Sequence, residues 1–235
     1  MECIESLKCT DALVKSPSST SLYLTCPQQW VFAKEFPLVN EGILKGRKVA
    51  QWMERMAKPI VSFGKVEPED DGLFLACVKA QGFLEEKFPL PQEAEVVFGK
   101  ARVDRIIGFD KVIIDFKYTN KLDSEYLHSK FRSYYESWQL YHYAWCVMSE
   151  RGNWVKEFMD IGIMLISDKP KPSCKLHTWA VSRGEVLAWL ENAVKVWQMM
   201  EEGRVWKNYN SCFIEKYNSE CFWYRKCKGG SQGVL

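Results

Sequence analysis

Apolar residues follow a helical spacing in the first part of the chain and change to strand-like runs further on. The helical spacing, with serines placed to cap a first helix and a break at Cys26-Pro27, predicts three N-terminal helices. We expect the first from about Ser19, resuming after the break through Trp30 and Phe32, and the others at about 43–56 and 73–88. Segments rich in Val and Ile, with Gly99 between the first two, then predict a meander of strands at 94–98, 101–107 and 111–116.

A long helix and two more strands follow this meander. An apolar stripe at helical spacing predicts the helix at about 130–148, and strands fit 158–166 and 176–181. Ser182, with Glu185 three residues later, is typical of a capping box and predicts a last helix. This order indicates an α/β or α+β fold with a central mixed sheet flanked by helices. We treat the chain as one domain with a helical part, a core and a cysteine-bearing tail at 17–92, 93–203 and 204–235.

Composition narrows the partners that the chain can have. It has 235 residues, of which 47% are hydrophobic, enough for a sizeable core. The formal net charge is only +2, so binding to nucleic acid requires a local basic patch. The sequence has no run of about 18 apolar residues and no apolar signal core at its N-terminus. We therefore expect a soluble, intracellular and cytoplasmic protein with no membrane partner.

Charged residues interrupt the apolar strands of the meander. Asp104 lies inside the second strand, and Asp115 and Lys117 lie two residues apart at the end of the third. Strand periodicity places Asp115 and Lys117 on one face, and a tight hairpin would bring Asp104 beside them. Glu95, one strand earlier, can supply a further carboxylate as a metal ligand. Carboxylates inside such strands are costly to bury unless they are paired or bind a metal.

These residue types suit phosphodiester hydrolysis. Oxygen ligands from Asp104 and Asp115 can hold Mg²⁺ or Mn²⁺ and leave positions for water and phosphate. Lys117 can orient the attacking water and neutralise charge in the transition state. The plainer interpretation is an exposed salt bridge, since an Asp-x-Lys triplet often occurs by chance. The upstream Asp104 in a hydrophobic strand favours a functional centre.

The segment VDRIIGFDKVIIDFKYT resembles the core motif of the PD-(D/E)XK nuclease superfamily, in its RecB-like exonuclease branch. Gln139 and Tyr143 in QLYHY resemble the Q-x-x-x-Y motif of that branch, and they would share a helical face with Arg132. In that family this face lies over the active site and toward the DNA. The resemblance therefore implies a restriction-endonuclease-like core. It implies a catalytic set made of Asp104, Asp115, Lys117, Gln139 and Tyr143.

One stretch departs from this resemblance. Many relatives carry a histidine on an early helix, in a G-x-x-x-H context, as an additional metal ligand. The comparable stretch here, KGRKVAQWMERM, has Gly46 but no histidine, and Gln51 and Glu54 are the nearest polar candidates. Three alternatives follow: an all-carboxylate site, a site completed by Gln51 or Glu54, or an activity that is weakened or lost.

Three of the nine cysteines, Cys212, Cys221 and Cys227, lie close to the C-terminus. Without a secretion signal, metal or cluster ligation explains this clustering better than disulfides. One subgroup of the RecB-like branch, similar to AddB-type nucleases and a CRISPR-associated exonuclease family, joins an N-terminal Cys-Pro to three late cysteines through a 4Fe-4S cluster. That resemblance implies Cys26 as the fourth ligand, with Zn²⁺ as the alternative. The remaining cysteines are expected to be small buried residues or ordinary thiols: Cys3, Cys9, Cys77, Cys146 and Cys174.

Basic residues just past the core are candidate DNA contacts, namely Lys121, Lys130 and Arg132. Nothing in the chain is similar to a sequence-reading helix or finger, so we expect little sequence specificity. The sequence thus predicts a deoxyribonuclease, an exonuclease on DNA ends or single strands, similar to phage-encoded or CRISPR-associated members. It would act in recombination, repair or replication, with a protein of those processes as a partner. The alternative is a DNA-binding or scaffold protein that keeps the fold and has lost hydrolysis.

Overall fold

Five strands lie side by side in chain order and form one mixed sheet. The strands of the computed structural model are β1 (Gln92–Phe98), β2 (Ala101–Ile107), β3 (Val112–Tyr118), β4 (Phe158–Ser167) and β5 (Ser173–Ser182). The structure describes residues 7–35, 39–58, 66–122, 127, 131–132, 138–152 and 157–205, and the backbone of 213–214 and 219–220. The last two pairs form the short strands β6 (Phe213–Ile214) and β7 (Ser219–Glu220), which pair with each other.

The helices lie on both sides of this sheet. They are α1 (Pro17–Thr25), α2 (Pro27–Glu35), α3 (Glu41–Met56), α4 (Asp71–Lys87), α5 (Trp138–Glu150) and α6 (Arg183–Glu201), with a 3-10 turn at Pro68–Asp70. The predicted break at Cys26-Pro27 separates α1 from α2. A proline inside a helix lacks the N–H donor and its ring clashes with the preceding turn. Ser182 and Glu185 form the predicted capping box at the start of α6.

Strand pairing makes the sheet mixed, as predicted. The pairs β1–β2, β2–β3 and β4–β5 are antiparallel, whereas β3 and β4 are parallel. A parallel pair needs a crossover connection, and the crossover here includes α5. The α+β class with N-terminal helices is therefore confirmed. Most predicted boundaries differ by one to three residues; for example, β5 begins at Ser173 rather than at 176, and α5 extends to Glu150 rather than to 148. The predicted start of that helix near 130 lies outside the described residues.

Two hydrophobic cores cover the two faces of the sheet. One core joins α1, α5 and α6 to the sheet and contains Trp145 and Trp197, both fully buried. The other joins α3 and α4 to the opposite face around Leu84, Ile114 and Met164. Because both faces are covered, the middle strand β3 is buried along most of its length.

Helix α1 is tied to α6 across a long stretch of sequence. The indole Nε1 of Trp197 donates a hydrogen bond to Oγ1 of Thr20 over 3.0 Å, in a buried position. The hydroxyl of Tyr23 donates to the carbonyl oxygen of Arg204, just beyond the end of α6. These contacts fix the first described helix against the last one.

The cysteines of the core differ from the prediction in one respect. Cys9 and Cys146 were expected to be separate thiols, but the structure joins them in a disulfide, with Cα atoms 5.8 Å apart. The two residues lie 137 positions apart, so their approach depends on the tertiary fold and leaves no local sequence signal. Cys77 is a buried free thiol and Cys174 a half-buried one, as expected. Among the described residues, no helix is long and apolar enough to cross a membrane.

Candidate active site

The ladder of hydrogen-bonded pairs is interrupted beside Asp104 on both of its flanks. In β1–β2 the pairs Ala94↔Arg105 and Val96↔Val103 enclose an unpaired level that holds Glu95 and Asp104. In β2–β3 pairing stops at Arg105↔Ile114, one level before Asp104 and Asp115 would face each other. Glu95 has a φ of 53°, in the left-handed region that side chains other than glycine rarely adopt. Three acidic residues thus occupy one level of the sheet, where its regular geometry breaks down.

The side chain of Asp104 replaces part of the missing ladder. Its Oδ2 accepts a hydrogen bond from the backbone N–H of Phe116 over 2.8 Å. The strands therefore separate here without leaving this backbone donor unsatisfied. This separation brings the Asp104 carboxyl to the gap between β2 and β3.

The alternation of side chains between the two faces of the sheet is broken in β2, close to Asp104. Ala101, Val103 and Ile106 belong to the core on the α5–α6 side, whereas Ile107 belongs to the core on the α3–α4 side. Strict alternation would not place Val103 and Ile106 on one side, so the strand shifts between them. Asp104 lies at this shift and reaches both the β3 strand and a pocket beside α3.

Arg105 is buried on the α3–α4 side and is not available to DNA. Its guanidinium donates to Oε1 of Gln81 over 3.0 Å and to the carbonyl oxygen of Met53. Burial lowers the pKa of Arg105 to about 10. Through these contacts Arg105 holds helices α3 and α4 on the sheet.

Asp115, Lys117 and Gln139 meet in one network between β3 and α5. Lys117 Nζ donates to Asp115 Oδ1 over 3.1 Å and to Gln139 Oε1 over 3.2 Å. Gln139 Nε2 lies 3.3 Å from Asp115 Oδ1 and 2.6 Å from the hydroxyl of Tyr143. The four residues are brought together as the sequence motif predicts, because β3 and the start of α5 meet on the α5 side of the sheet.

Both oxygens of Asp115 lie beside the Lys117 ammonium. Oδ2 lies 2.8 Å from Lys117 Nζ, at ion-pair distance but outside hydrogen-bond geometry, and no described residue donates a hydrogen bond to it. Asp115 is 1% exposed, so this oxygen is shielded from bulk water. The Lys117 ammonium is the cationic partner that this buried carboxylate needs, and a metal ion bound at Oδ2 would share the carboxylate with that lysine.

The electrostatics of the pair favour a bound cation. Burial and the neighbouring Asp115 raise the pKa of Asp104 to about 7. Burial also raises the pKa of Asp115, although the nearby Lys117 ammonium opposes that rise. Burial raises the pKa of the Tyr143 hydroxyl as well, so this group stays neutral and acts as a hydrogen-bond partner. Two close carboxylates that resist ionisation together form an environment that a divalent ion would stabilise.

The third predicted carboxylate has a different partner. The Glu95 carboxylate forms an ion pair with Arg102. In the part of the chain that the structure describes, no three His, Cys, Asp or Glu residues lie together as a metal site. Asp104 and Asp115 therefore fit a divalent cation as a pair of oxygen ligands, with water or phosphate completing its shell, while Glu95 as a ligand stays a prediction.

Helix α3 supplies the other wall of the site. Gln51 lines the pocket that contains Asp104, whereas Glu54 lies one turn further on and is held by Lys58 at 2.6 Å. The position four residues after Gly46 is Ala50, which lines the same pocket and offers no donor atom to a metal. Of the two proposed substitutes for the missing histidine, Gln51 is thus the better placed.

Several predicted site residues lie at the margin of the described structure. Lys121 and Arg132 are exposed, as a DNA-binding role requires, whereas Lys130 lies outside the described residues. Cys26 is a buried free thiol between α1 and α2. The other proposed cluster ligands, Cys212, Cys221 and Cys227, lie outside the described residues, so the four-cysteine site stays a prediction.

Sequence reasoning missed two arginines beside Asp104. Arg102 precedes Asp104 by two residues in β2, and Arg47 projects from α3 into the same pocket. The spacing of Arg102 from Asp104 was a usable signal, because residues two apart in a strand share a face. Arg47 carried no such signal, since its approach depends on how α3 packs on the sheet.

Comparisons with known proteins do not extend this description. No protein-family model matches the chain, and no curated protein matches it. The geometry of the site must therefore carry any proposal about function.

Proposed function

We propose that this protein is a Mg²⁺- or Mn²⁺-dependent nuclease that hydrolyses DNA phosphodiester bonds. The observation that carries the proposal is the pairing of a buried carboxyl group, Asp115, with the half-buried carboxyl of Asp104, beside the Lys117 ammonium and the Gln139 amide. Acidic pairs with raised pKa values cluster at functional sites. Burying such a pair destabilises the folded protein, so its presence points to a role other than folding.

In this proposal Asp104 and Asp115 hold the metal ion. The ion would polarise a phosphoryl oxygen and lower the pKa of a bound water. Lys117, fixed between Asp115 and Gln139, orients the attacking water and neutralises negative charge as it builds up on phosphorus. The Gln139 amide contacts both Lys117 and Asp115 and fixes their relative positions, and the Tyr143 hydroxyl fixes the Gln139 side chain.

The substrate in this proposal is a DNA end or a single strand, recognised through its phosphates. Lys121 and Arg132 are exposed and can neutralise backbone phosphates without reading bases. We also propose that Cys26 and the three late cysteines bind a structural 4Fe-4S cluster or, alternatively, Zn²⁺. A cytoplasmic role in recombination, repair or replication, with a partner protein of those processes, also belongs to it.

A cleavage assay on end-labelled single- and double-stranded DNA with Mg²⁺ or Mn²⁺ tests the function. We expect Asp115→Asn and Lys117→Ala each to reduce the rate by about a thousandfold or more, because each removes a group at the reacting phosphate. Asp160→Asn and Lys175→Ala, at exposed strand positions, are the matched controls and should keep the wild-type rate. Unchanged cleavage in both site variants would exclude this centre.

The second candidate is a DNA-binding protein that no longer cleaves. The observation that favours it is Ala50, which stands beside Asp104 without any metal-ligating atom. This candidate predicts that the wild-type protein binds DNA with and without metal and cleaves none. The assay above therefore separates the two functions directly.

A further inference from the structure

A pocket of about 270 Å³ opens beside Asp104, on the opposite side from Gln139. Helix α3 forms one wall, and β1 and β2 form the other. Its lining residues are Arg47, Ala50, Gln51, Glu95, Arg102 and Asp104. The metal pair and Lys117 do not account for the two guanidinium groups of this pocket, so these groups need a separate explanation. The Gln51 amide can serve either the metal or a second ligand.

Arg47 and Gln51 present unengaged donors to the pocket. They lie four residues apart on α3 and therefore share one face of the helix. Both side chains are exposed, and within the described structure neither forms a hydrogen bond, an ion pair or a ring contact. An arginine and a glutamine on consecutive turns, both without partners, can converge on one acceptor group.

Arg102 adds a second guanidinium that is already positioned. It forms an ion pair with Glu95 and lies 3.7 Å from the Glu54 carboxylate, so its direction is fixed from two sides. A guanidinium has five N–H donors, and pairing with these carboxylates leaves some of them for a ligand. Arg102 remains largely exposed, with 62% of its side chain accessible.

The composition of the pocket selects the chemistry of its ligand. The lining holds two carboxyl groups, of which Glu95 is neutralised by its ion pair with Arg102, and two guanidinium groups and an amide. These donors can reach several oxygens of one anion, and the planar guanidinium matches phosphate in a bidentate manner. No aromatic ring lines the pocket, so it lacks the surface on which a base would stack. The ligand that fits is a phosphate group rather than a nucleobase.

We propose that this pocket binds a second phosphate of the DNA strand, next to the one that is cleaved at Asp104 and Asp115. The proposal rests on the nuclease function for the direction of the strand, but the phosphate contact itself requires no cleavage. The phosphate is either a terminal monoester at a strand end or an internal diester, and both offer at least two non-bridging oxygens to Arg47, Gln51 and Arg102.

Equilibrium binding in EDTA tests the contact without any reaction. The probe is a labelled single-stranded oligonucleotide, measured by fluorescence anisotropy over a series of salt concentrations. We expect Arg47→Ala to weaken binding about tenfold and to reduce the salt slope by about 0.7, the value for one lost single-strand phosphate contact. Arg47→Lys should restore part of the affinity. Arg55→Ala, an exposed arginine on the same helix outside the pocket, should bind like wild type.

Three probes distinguish the sources of the phosphate: strands with a 5′-phosphate, with a 3′-phosphate, and with hydroxyls at both ends. A loss in Arg47→Ala that is confined to one phosphorylated probe supports a terminal phosphate, and an equal loss on all three supports an internal one. Wild-type affinity and salt slope in Arg47→Ala on every probe would overturn the proposal. Absence of cleavage in the wild type would instead refute the nuclease function and leave this binding result intact.

Discussion

Asp115 is buried and Asp104 is half-buried in strands whose other inward positions hold valine and isoleucine. A pKa of about 7 for Asp104 means that the two carboxyl groups do not readily ionise together at neutral pH. Burying charged groups costs several kcal/mol each unless a partner offsets the loss of water. The pair is therefore unfavourable for the fold alone, which is the physical reason for proposing it as a catalytic centre.

At the residue scale, Gln139→Ala tests how the site is held in place. We expect the cleavage rate to fall by about 10- to 100-fold, because Lys117 and Asp115 lose the amide that joins them. The melting temperature should change little, since the amide lies at the edge of the core. The matched control is Gln198→Ala, an exposed glutamine on α6. A wild-type cleavage rate in Gln139→Ala would reduce this residue to a packing role.

The sequence located part of this site and missed the rest for a definable reason. Asp104, Asp115 and Lys117 follow from strand periodicity, and the spacing of Gln139 and Tyr143 follows from helical periodicity. The Glu95–Arg102 ion pair does not follow, because it depends on the register of β1 with β2 and on the left-handed backbone at Glu95. Contacts that depend on register and on local backbone irregularity are not encoded in spacing alone.

At the scale of elements, α5 serves the active site and the core at once. Its Gln139 faces Lys117, while its fully buried His142 lies among tryptophan rings. The His142 ring centroid is 5.4–5.5 Å from those of Trp145, Trp189 and Trp197. Neither nitrogen of His142 has a hydrogen-bond partner in the described part of the chain. The helix that positions the amide is thus fixed by an imidazole that must remain neutral.

This packing makes the α5–α6 contact sensitive to acid. Burial lowers the pKa of His142 to about 3, so below about pH 6.5 the unfolded chain takes up a proton that the folded chain refuses. The contribution of His142 therefore destabilises the fold progressively as the pH falls. Relative to wild type, His142→Leu should gain about 2 kcal/mol in unfolding free energy between pH 7 and pH 5.

Urea unfolding at a series of pH values measures this difference. Comparing variant with wild type cancels the opposite contribution of Asp104, whose raised pKa stabilises the fold as the pH falls below about 7. Leu140→Val, at a fully buried position on the same helix, removes no titratable group and is the control, so its effect on stability should not vary with pH. A His142→Leu difference that does not vary with pH would contradict the prediction.

Most helices and strands could be predicted from the apolar pattern, whereas the irregular contacts between strands could not. The strands β1–β4 and the helices α1–α4 were placed within a few residues, because their apolar periodicity reflects burial on one or both faces. The separation of β2 from β3 and the exchange of faces in β2 left no periodic signal. Both arise where one acidic side chain takes the place of a backbone partner.

At the scale of the whole molecule, the Cys9–Cys146 link ties the segment before α1 to the middle of α5. Both residues are fully buried in the core that contains α5 and α6. A link that closes so long a loop restricts the unfolded chain strongly, and removing it is expected to cost about 4 kcal/mol.

We therefore expect Cys9→Ser to lower the free energy of unfolding by about this amount under oxidising conditions. Guanidinium unfolding with and without a reductant measures it, and the reductant should bring the wild type close to the variant. Cys174→Ser, at a half-buried free thiol, is the control: it keeps the Cys9–Cys146 link and should lose stability with the reductant as the wild type does. If the wild type and Cys9→Ser unfold at the same midpoint in both conditions, the two sulfurs are not joined in solution.

The hydrogen bond between Thr20 and Trp197 spans 177 positions of the chain. During translation α1 emerges from the ribosome long before α6 has been synthesised. Until then, the surface that buries Thr20 and Tyr23 does not exist. Contacts of such long range close late, so the nascent chain exposes this first helix throughout most of its synthesis. Chaperones that bind short apolar segments could therefore bind α1 before α6 is available to pack against it.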